Sequence, residues 1–378
     1  MAKNQPSRDR STSKGTRGGA LLADVAAAAG VSIASASRAL SGAAGVSDEQ
    51  RARIAAIAEQ LDYHQNPSGR SLRSGRTNLI GVWVESISNA SSGRLVTALN
   101  DALHAHGYDI LVTEYSDDPA EDASRIRALA RRRPDFMVVL HPPRSAAFER
   151  LVRKGQKVVL IASGRPSSWS SALVAVDTSA SRRELATHLV ELGHRRLLVL
   201  QPARRIGRPG FNMLQRVAKR LKLPLELEVL PFAGSDGGPG LTSAEAVSRL
   251  QGTDGATFVQ VNEALAPDLL GGIGAAGLRI PEDVSVMTTG APPWAEIVRP
   301  PLSVTTVDYY EAGRQAAEAI LELAGGGEPT RRVVRGKYIR RASVGPARGL
   351  GRPASDAASR PARAGRPRRP DAREHARR

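Results

Sequence analysis

Two groups of side chains in this 378-residue sequence are of the kind that meets nucleic acid. The first is the run Ser32, Ile33, Ala34, Ser35, Ala36, Ser37, Arg38. Ser32 can cap a helix from Ile33 to Leu40. Ile33, Ala34 and Ser35 then fall on its first turn, with Ser37 and Arg38 on the next. A helix offered end-on to the major groove places its N-terminal residues at base edges. Arg38 is the one long donor, suited to guanine O6/N7 or to a phosphate. Ile33 and Ala34 can make only apolar contacts, for example to a thymine methyl. Capping is an alternative for Ser32 and Ser35, and core packing for Ile33. The second group is Arg70, Arg73 and Arg76. Its arginines suit phosphate contacts, or belong to a plain solvated linker.

Chemistry of other kinds finds few carriers. The sequence has no Walker-type Gly-Lys-Ser/Thr loop, no His-Glu-x-x-His and no Gly-x-Ser-x-Gly at a strand end. Its seven His are scattered, and His104 and His106, two apart, do not share a helix face. With zero Cys there are no disulfides, thiolate metal sites or Cys nucleophiles. The expectation is a protein that is not an enzyme and takes no metal or cofactor.

The elements that must position these residues begin near Leu21. Leu21 to Ala29 is dense in helix formers, and Gly30 ends that helix. Ser47 with Gln50 signals a third helix, about Asp48 to Leu61. Its inner face carries Ile54, Ile57, Ala58 and Leu61. Three short helices with a tight Gly turn between the first two are the pattern of a helix-turn-helix domain. From Leu79 the pattern changes to apolar strands alternating with helices: 79–84, 108–113, 136–140, 158–162 and 197–200 as strands; 93–106, 120–132 and 182–192 as helices. That alternation predicts a mostly parallel sheet with helices on both faces.

The net charge is +17, from 54 Lys and Arg against 37 Asp and Glu, and an anionic partner is expected. Much of the excess sits at the ends, about +4 in residues 1–19 and about +7 in residues 345–378. The latter stretch is Arg, Pro, Ala and Gly with almost no large apolar side chains. Such a composition predicts disorder, and either a solvated tail or a nonspecific phosphate-binding arm. No apolar run approaches the ~18 residues of a membrane span. The first twenty residues lack the apolar core of a signal peptide. These features lead to the expectation of a cytoplasmic, nucleoid-associated protein with no membrane partner.

Residue order narrows the reading further. Asp24-Val25-Ala26, Ala29-Gly30-Val31-Ser32, Ser37-Arg38-Ala39-Leu40, Val46-Ser47, Tyr63, Asn66-Pro67 and the run Arg70 to Val82 resemble, in order and at family spacing, the LacI/GalR family of bacterial transcriptional regulators. The resemblance continues more loosely to about residue 345. It implies a lambda-repressor-like all-α head at 21–65, after a basic extension at 1–20. A hinge at 66–77 would fold into a short helix on operator DNA. There Leu72 would act as a minor-groove wedge. Gly69 stands where the family usually has Ala, a change that costs about 1 kcal/mol of helix stability. The resemblance further implies an α/β periplasmic-binding-protein-like core at 78–344, built of two doubly wound lobes. Lobe 1 would take about 78–176 and 307–326, and lobe 2 about 177–305 and 328–344. Crossovers fall near Val176, Thr306 and Gly326, with 333–339 closing lobe 2.

A small ligand would sit between the lobes, at the C-terminal strand ends. The matching positions are Asn89, His141, Asp177, Arg208, Asn262, Glu263 and Trp294. Here the sequence departs most from the family. Asn89-Ala90-Ser91-Ser92 lacks the aromatics after the first strand. Thr288-Thr289-Gly290-Ala291 lacks two carboxylates, and Asp177-Thr178 and Asn262-Glu263 each alter a pair. An ordinary neutral sugar is then a poor fit; Arg204, Arg205 and Arg208 would suit a sugar acid or phosphate. The expected function is a repressor that binds a pseudo-palindromic operator as a dimer, or a tetramer, under control of such an effector. The alternatives are a constitutive DNA-binding regulator with a vestigial cleft and, against the evidence of the head, a solute-binding receptor.

Overall fold

The computed structural model describes residues 20–63, 75–116, 118–140, 145–163, 170–203, 213–233, 239–251, 257–328 and 331–347. The expectations for the N-terminal extension, for Asn66, Gly69, Arg70, Leu72 and Arg73, for His141 and Arg208, and for the chain beyond Ala347 lie outside the described residues. The chain divides into two compact units, Met1–Asn78 and Leu79–Arg378.

The first unit contains α1 (Leu22–Ala29), α2 (Ile33–Leu40) and α3 (Asp48–Gln60). Its small core is Val25, Ala26, Ala29, Ala36, Ala39, Ile54 and Ala58. Alanines at four of the α1 and α2 positions let the helices approach closely. Gly30 ends α1 with φ +66, a left-handed conformation that glycine adopts without strain. Leu61, expected on the inner face of α3, is instead 37% exposed. The helix stops at Gln60, and Asp62 takes φ +50, so the chain turns away before Leu61 can face inward.

The second unit is organised around one eleven-stranded sheet, ordered β2-β1-β3-β4-β5-β11-β10-β9-β8-β6-β7. Lobe 1 holds β1 (Leu79–Val84), β2 (Asp109–Glu114), β3 (Phe136–Leu140), β4 (Lys157–Ala162) and β5 (Ala172–Asp177), all parallel. Lobe 2 holds β6 (Arg196–Gln201), β7 (Glu226–Pro231), β8 (Phe258–Asn262), β9 (Ser285–Thr289) and β10 (Ser303–Val307), again parallel. Numbered by its own order of appearance, each set reads 2-1-3-4-5, so the two lobes repeat one doubly wound topology.

Helices cover both faces of each set. In lobe 1, α4 (Ala90–Leu103) and the late helix α12 (Tyr309–Ala324) share one apolar cluster, including Leu95, Leu99, Ala316 and Ile320. The other face carries α5 (Pro119–Arg131) and α6 (Ala146–Arg153), with Ile126, Leu129 and Phe148 on Trp83 and Met137. Val82 and Val84 face the first cluster and Trp83 the second, the period-two alternation of a strand buried on both sides. Lobe 2 repeats the scheme with α7 (Ser179–Glu191) and α8 (Met213–Arg220) on one face. The other face carries α9 (Ser243–Ser248), α10 (Ala266–Ala275) and α11 (Trp294–Ile297).

The chain passes between lobes after Asp177 and after Val307, close to where the sequence places two crossovers. The third differs. From Gly326 the chain is still in lobe 1, because β11 (Arg331–Ile339) pairs first with β5, from Arg331 to Arg335. It then pairs antiparallel with β10, from Gly336 to Ile339. The crossing therefore lies inside β11, and this shared strand joins the two sheets into one.

Candidate DNA interface and ligand cleft

In the head, Ser32 caps α2 by accepting the Ser35 N–H at 3.1 Å. The two hydroxyls lie 2.9 Å apart, and Arg38 Nη2 reaches Ser35 Oγ at 3.5 Å, the limit of a hydrogen bond. Capping thus occupies Ser32 and Ser35, while Ile33 is no core residue: it is 56% exposed. Ala34 and Arg38 are exposed beside it. This exposed first turn, with one guanidinium a turn below, is what major-groove readout requires. Ser37 departs from the expectation. It is only 8% exposed, between the core residues Ala36 and Ala39, and so faces the head's interior.

In the core, each lobe has its topological switch point between its first and third strands, where doubly wound sheets hold ligands. After β1, the Glu114 carboxylate accepts the Ile87 N–H at 2.6 Å and the Ser86 hydroxyl at 3.1 Å. That fixes the turn into α4. Asn89 precedes the helix, 4% exposed, with its Oδ1 lacking a hydrogen-bond partner. Ser92, on the first turn, is also buried with its Oγ unpartnered. At the end of β8, Asn262 Oδ1 accepts the Ala264 N–H at 3.1 Å and shapes the next turn. Glu263, 6% exposed, extends from that turn to the start of α4, where the Ser91 N–H (3.5 Å) and hydroxyl (3.4 Å) meet its Oε1. The two switch points therefore touch, across 172 residues of sequence.

The other candidates lie nearby in the topology but are otherwise engaged. Asp177, at the end of β5, accepts the Ser179 N–H at 2.9 Å. Backbone and hydroxyl hydrogen bonds from Ser179 hold its carboxyl below the usual range, aided by Arg335 and Arg331. It works as a helix-start carboxylate for α7. Trp294 begins α11 and packs partly buried on the lobe 2 core. The sequence reading missed Ser91 and Gly290. Gly290 has φ +89, and a Cβ there would collide with the Glu263 carboxylate. Their signal was small residues at the joints after β1 and β9, where an α-helix start or a close approach is needed. Among the described residues no cluster of three His, Asp or Glu could hold a metal ion. None of their helices is long and apolar enough to cross a membrane.

Comparison with known proteins agrees with both units. Residues 21–66 match the family model of bacterial regulatory proteins of the lacI family, and residues 186–344 that of a periplasmic binding protein-like domain. The HTH-type transcriptional regulator MalR of Streptomyces coelicolor is 30% identical over 322 residues, 81% of this chain and 90% of that protein. Catabolite control protein A of Staphylococcus xylosus is 24% identical over 293 residues, 77% and 88% of the two. Among solved structures, a LacI family transcriptional regulator from Silicibacter pomeroyi superposes with a TM-score of 0.71 at 23% identity, covering 86% of this chain and 99% of that one. The lac repressor dimer bound to operator and the anti-inducer ONPF gives 0.70 at 19%, with the same coverage. These two likenesses concern the fold. With the helix order of the head, the repeated lobes of the core and the MalR relationship taken together, the chain belongs to the lacI family of bacterial regulatory proteins.

Proposed function

We propose that this regulator is a repressor that binds a pseudo-palindromic operator as a dimer, and that a small molecule between its lobes tunes operator affinity. The observation that carries the DNA half is the exposed turn Ile33-Ala34 above Arg38, on a helix whose opposite face is buried. The meeting of two switch points at Ser91 and Glu263 supports the cleft half. Any ligand seated there touches both lobes at once, and so favours one lobe angle over another.

A second reading has its own support. Glu263 links the two switch points by its own bonds to Ser91, as a constitutive regulator with an unused cleft would have it. One experiment separates the readings. A duplex is selected from a random-sequence pool by the full chain, and its affinity is measured with sugars, sugar acids and sugar phosphates present. A shift with any of them supports the effector reading, and no shift with all of them favours the constitutive one. Arg38→Ala is expected to cost about 1–3 kcal/mol and to relax preference at one base position. A uniform loss across all sequences would assign Arg38 to phosphate alone.

A further inference from the structure

The lobe 1 pole at which strands β1 to β5 begin is strongly basic. Arg131 closes α5, and Arg132 and Arg133 follow it. Arg153 and Lys154 close α6, and Lys157 opens β4. All six are exposed. Two bonds to the backbone and one contact between side chains bring the segments together. The Asp135 N–H donates to Leu79 O at 2.8 Å. Gln156 Nε2 donates to Pro134 O at 3.1 Å. Lys157 Nζ stands 5.4 Å from the centre of the Phe136 ring. The strand register sets Leu79 level with Asp109 and Phe136 level with Lys157.

The carboxylates beside these segments are fewer: Asp109, Asp135 and Glu149, the last 3.9 Å from Arg153, with Asp101 in the last turn of α4 held by the Tyr310 hydroxyl at 3.0 Å. A helix C-terminus carries about half a unit of negative charge and accounts for roughly one cation per helix. It does not account for three consecutive arginines beside Arg153, Lys154 and Lys157. A surface of this sign, without an apolar centre, suits a polyanion. The chain that comes from the head joins the core at this pole. Fifteen residues lie between Tyr63 and Leu79, a contour of at most about 55 Å.

We infer that this basic pole is a second DNA contact, which binds the phosphates of duplex flanking the operator without reading its sequence. The inference rests on the reading of the head as an operator binder. Each phosphate neutralised releases counterions, so the contact strengthens binding and steepens its salt dependence by about 0.9 per contact.

The test compares a duplex selected by the full chain, trimmed to its protected sequence, with the same duplex carrying about 15 more base pairs per side, roughly 50 Å. The flanks are expected to tighten wild-type binding roughly tenfold at low salt. A triple variant, Arg131→Gln, Arg132→Gln and Lys154→Gln, should lose that gain and about 2–3 of the salt slope. It should bind the trimmed duplex as wild type does, which also reports that it folds. A variant that keeps the flank gain, or a wild type that gains nothing from flanks, overturns the surface and leaves the operator reading intact. A full chain that selects no duplex overturns the operator reading, and the surface with it.

Discussion

Glu263 and Gly290 hold their places only together. The carboxylate lies where a side chain at 290 would begin, and the glycine's φ of +89 is one that other residues adopt at a cost. Gly290→Ala should therefore lower stability twice over, by backbone strain of about 1–3 kcal/mol and by collision with the carboxylate. In a Glu263→Ala background only the strain remains, so the cost of Gly290→Ala should shrink. A thermodynamic cycle measured by denaturant unfolding gives the difference, and equal costs in both backgrounds would contradict the contact. Asn89, Asn262 and Glu263 were legible in the sequence through the family resemblance, which matches them to positions beside the cleft. The partnership of Glu263 with Ser91 and Gly290 was not, because it joins three loops that only the fold brings together. Ser37 shows the same limit. Helical spacing sets it beside Arg38, but the positions of α1 and α3 decide which residues of that turn are covered.

Segment 340–347 is an element that no periodicity announces. It has too few apolar residues to read as a strand, yet it is laid across the start of lobe 2's strands by specific bonds. Ser343 Oγ donates to Val286 O at 2.6 Å and accepts the Ser303 N–H at 2.8 Å. The Gly345 N–H reaches Ser285 Oγ at 3.0 Å, and the Ala347 N–H reaches Leu192 O at 2.8 Å. His194, fully buried, ties Gly345 O at 2.9 Å to Thr257 Oγ1 at 2.8 Å. Burial lowers its pKa to about 4, against the carbonyl bond that raises it. Above an ordinary pKa of about 6.5 the ring is neutral both folded and unfolded, and it has no effect on the pH dependence of stability. Between about 6.5 and about 4 the unfolded chain takes up a proton that the folded one refuses. Stability should fall through that window by up to about 3 kcal/mol, and level off below it. His188 is shifted the same way by burial, so the informative measurement is a comparison of slopes. In His194→Gln, Tm should start lower and decline less between pH 7 and pH 4.5; an unchanged slope would remove His194 from the account. Apolar runs made the strands and helices named from the sequence readable to within a few residues. The crossing within β11 was not readable, since Arg331, Arg332 and Arg335 break its apolar run and its two partners, β5 and β10, are distant in sequence.

For the whole molecule, where the charge lies matters more than its total. Residues 345–378 hold about +7 of the +17, and the sequence alone sets the boundary of that stretch at 345. The folded unit extends further, because Gly345 is bonded at both its N–H and its carbonyl and Ala347 is 6% exposed. Two truncations should therefore behave differently. Removal of residues 348–378 takes away ten arginines and three carboxylates but none of these bonds, so Tm should hold. Removal of residues 345–378 also takes the partners of His194, Ser285 and Leu192, and Tm should fall. In the shorter truncation, binding to duplex of arbitrary sequence should weaken and its salt slope should flatten, since both scale with phosphates neutralised. Preference for the selected duplex over arbitrary DNA should rise or stay unchanged, because the base-reading contacts proposed above belong to α2. The measurement is a salt titration of both affinities for each chain. Lost preference with Tm intact would mean that residues 348–378 take part in operator recognition, and a salt slope equal to wild type would mean that their charge does not reach DNA.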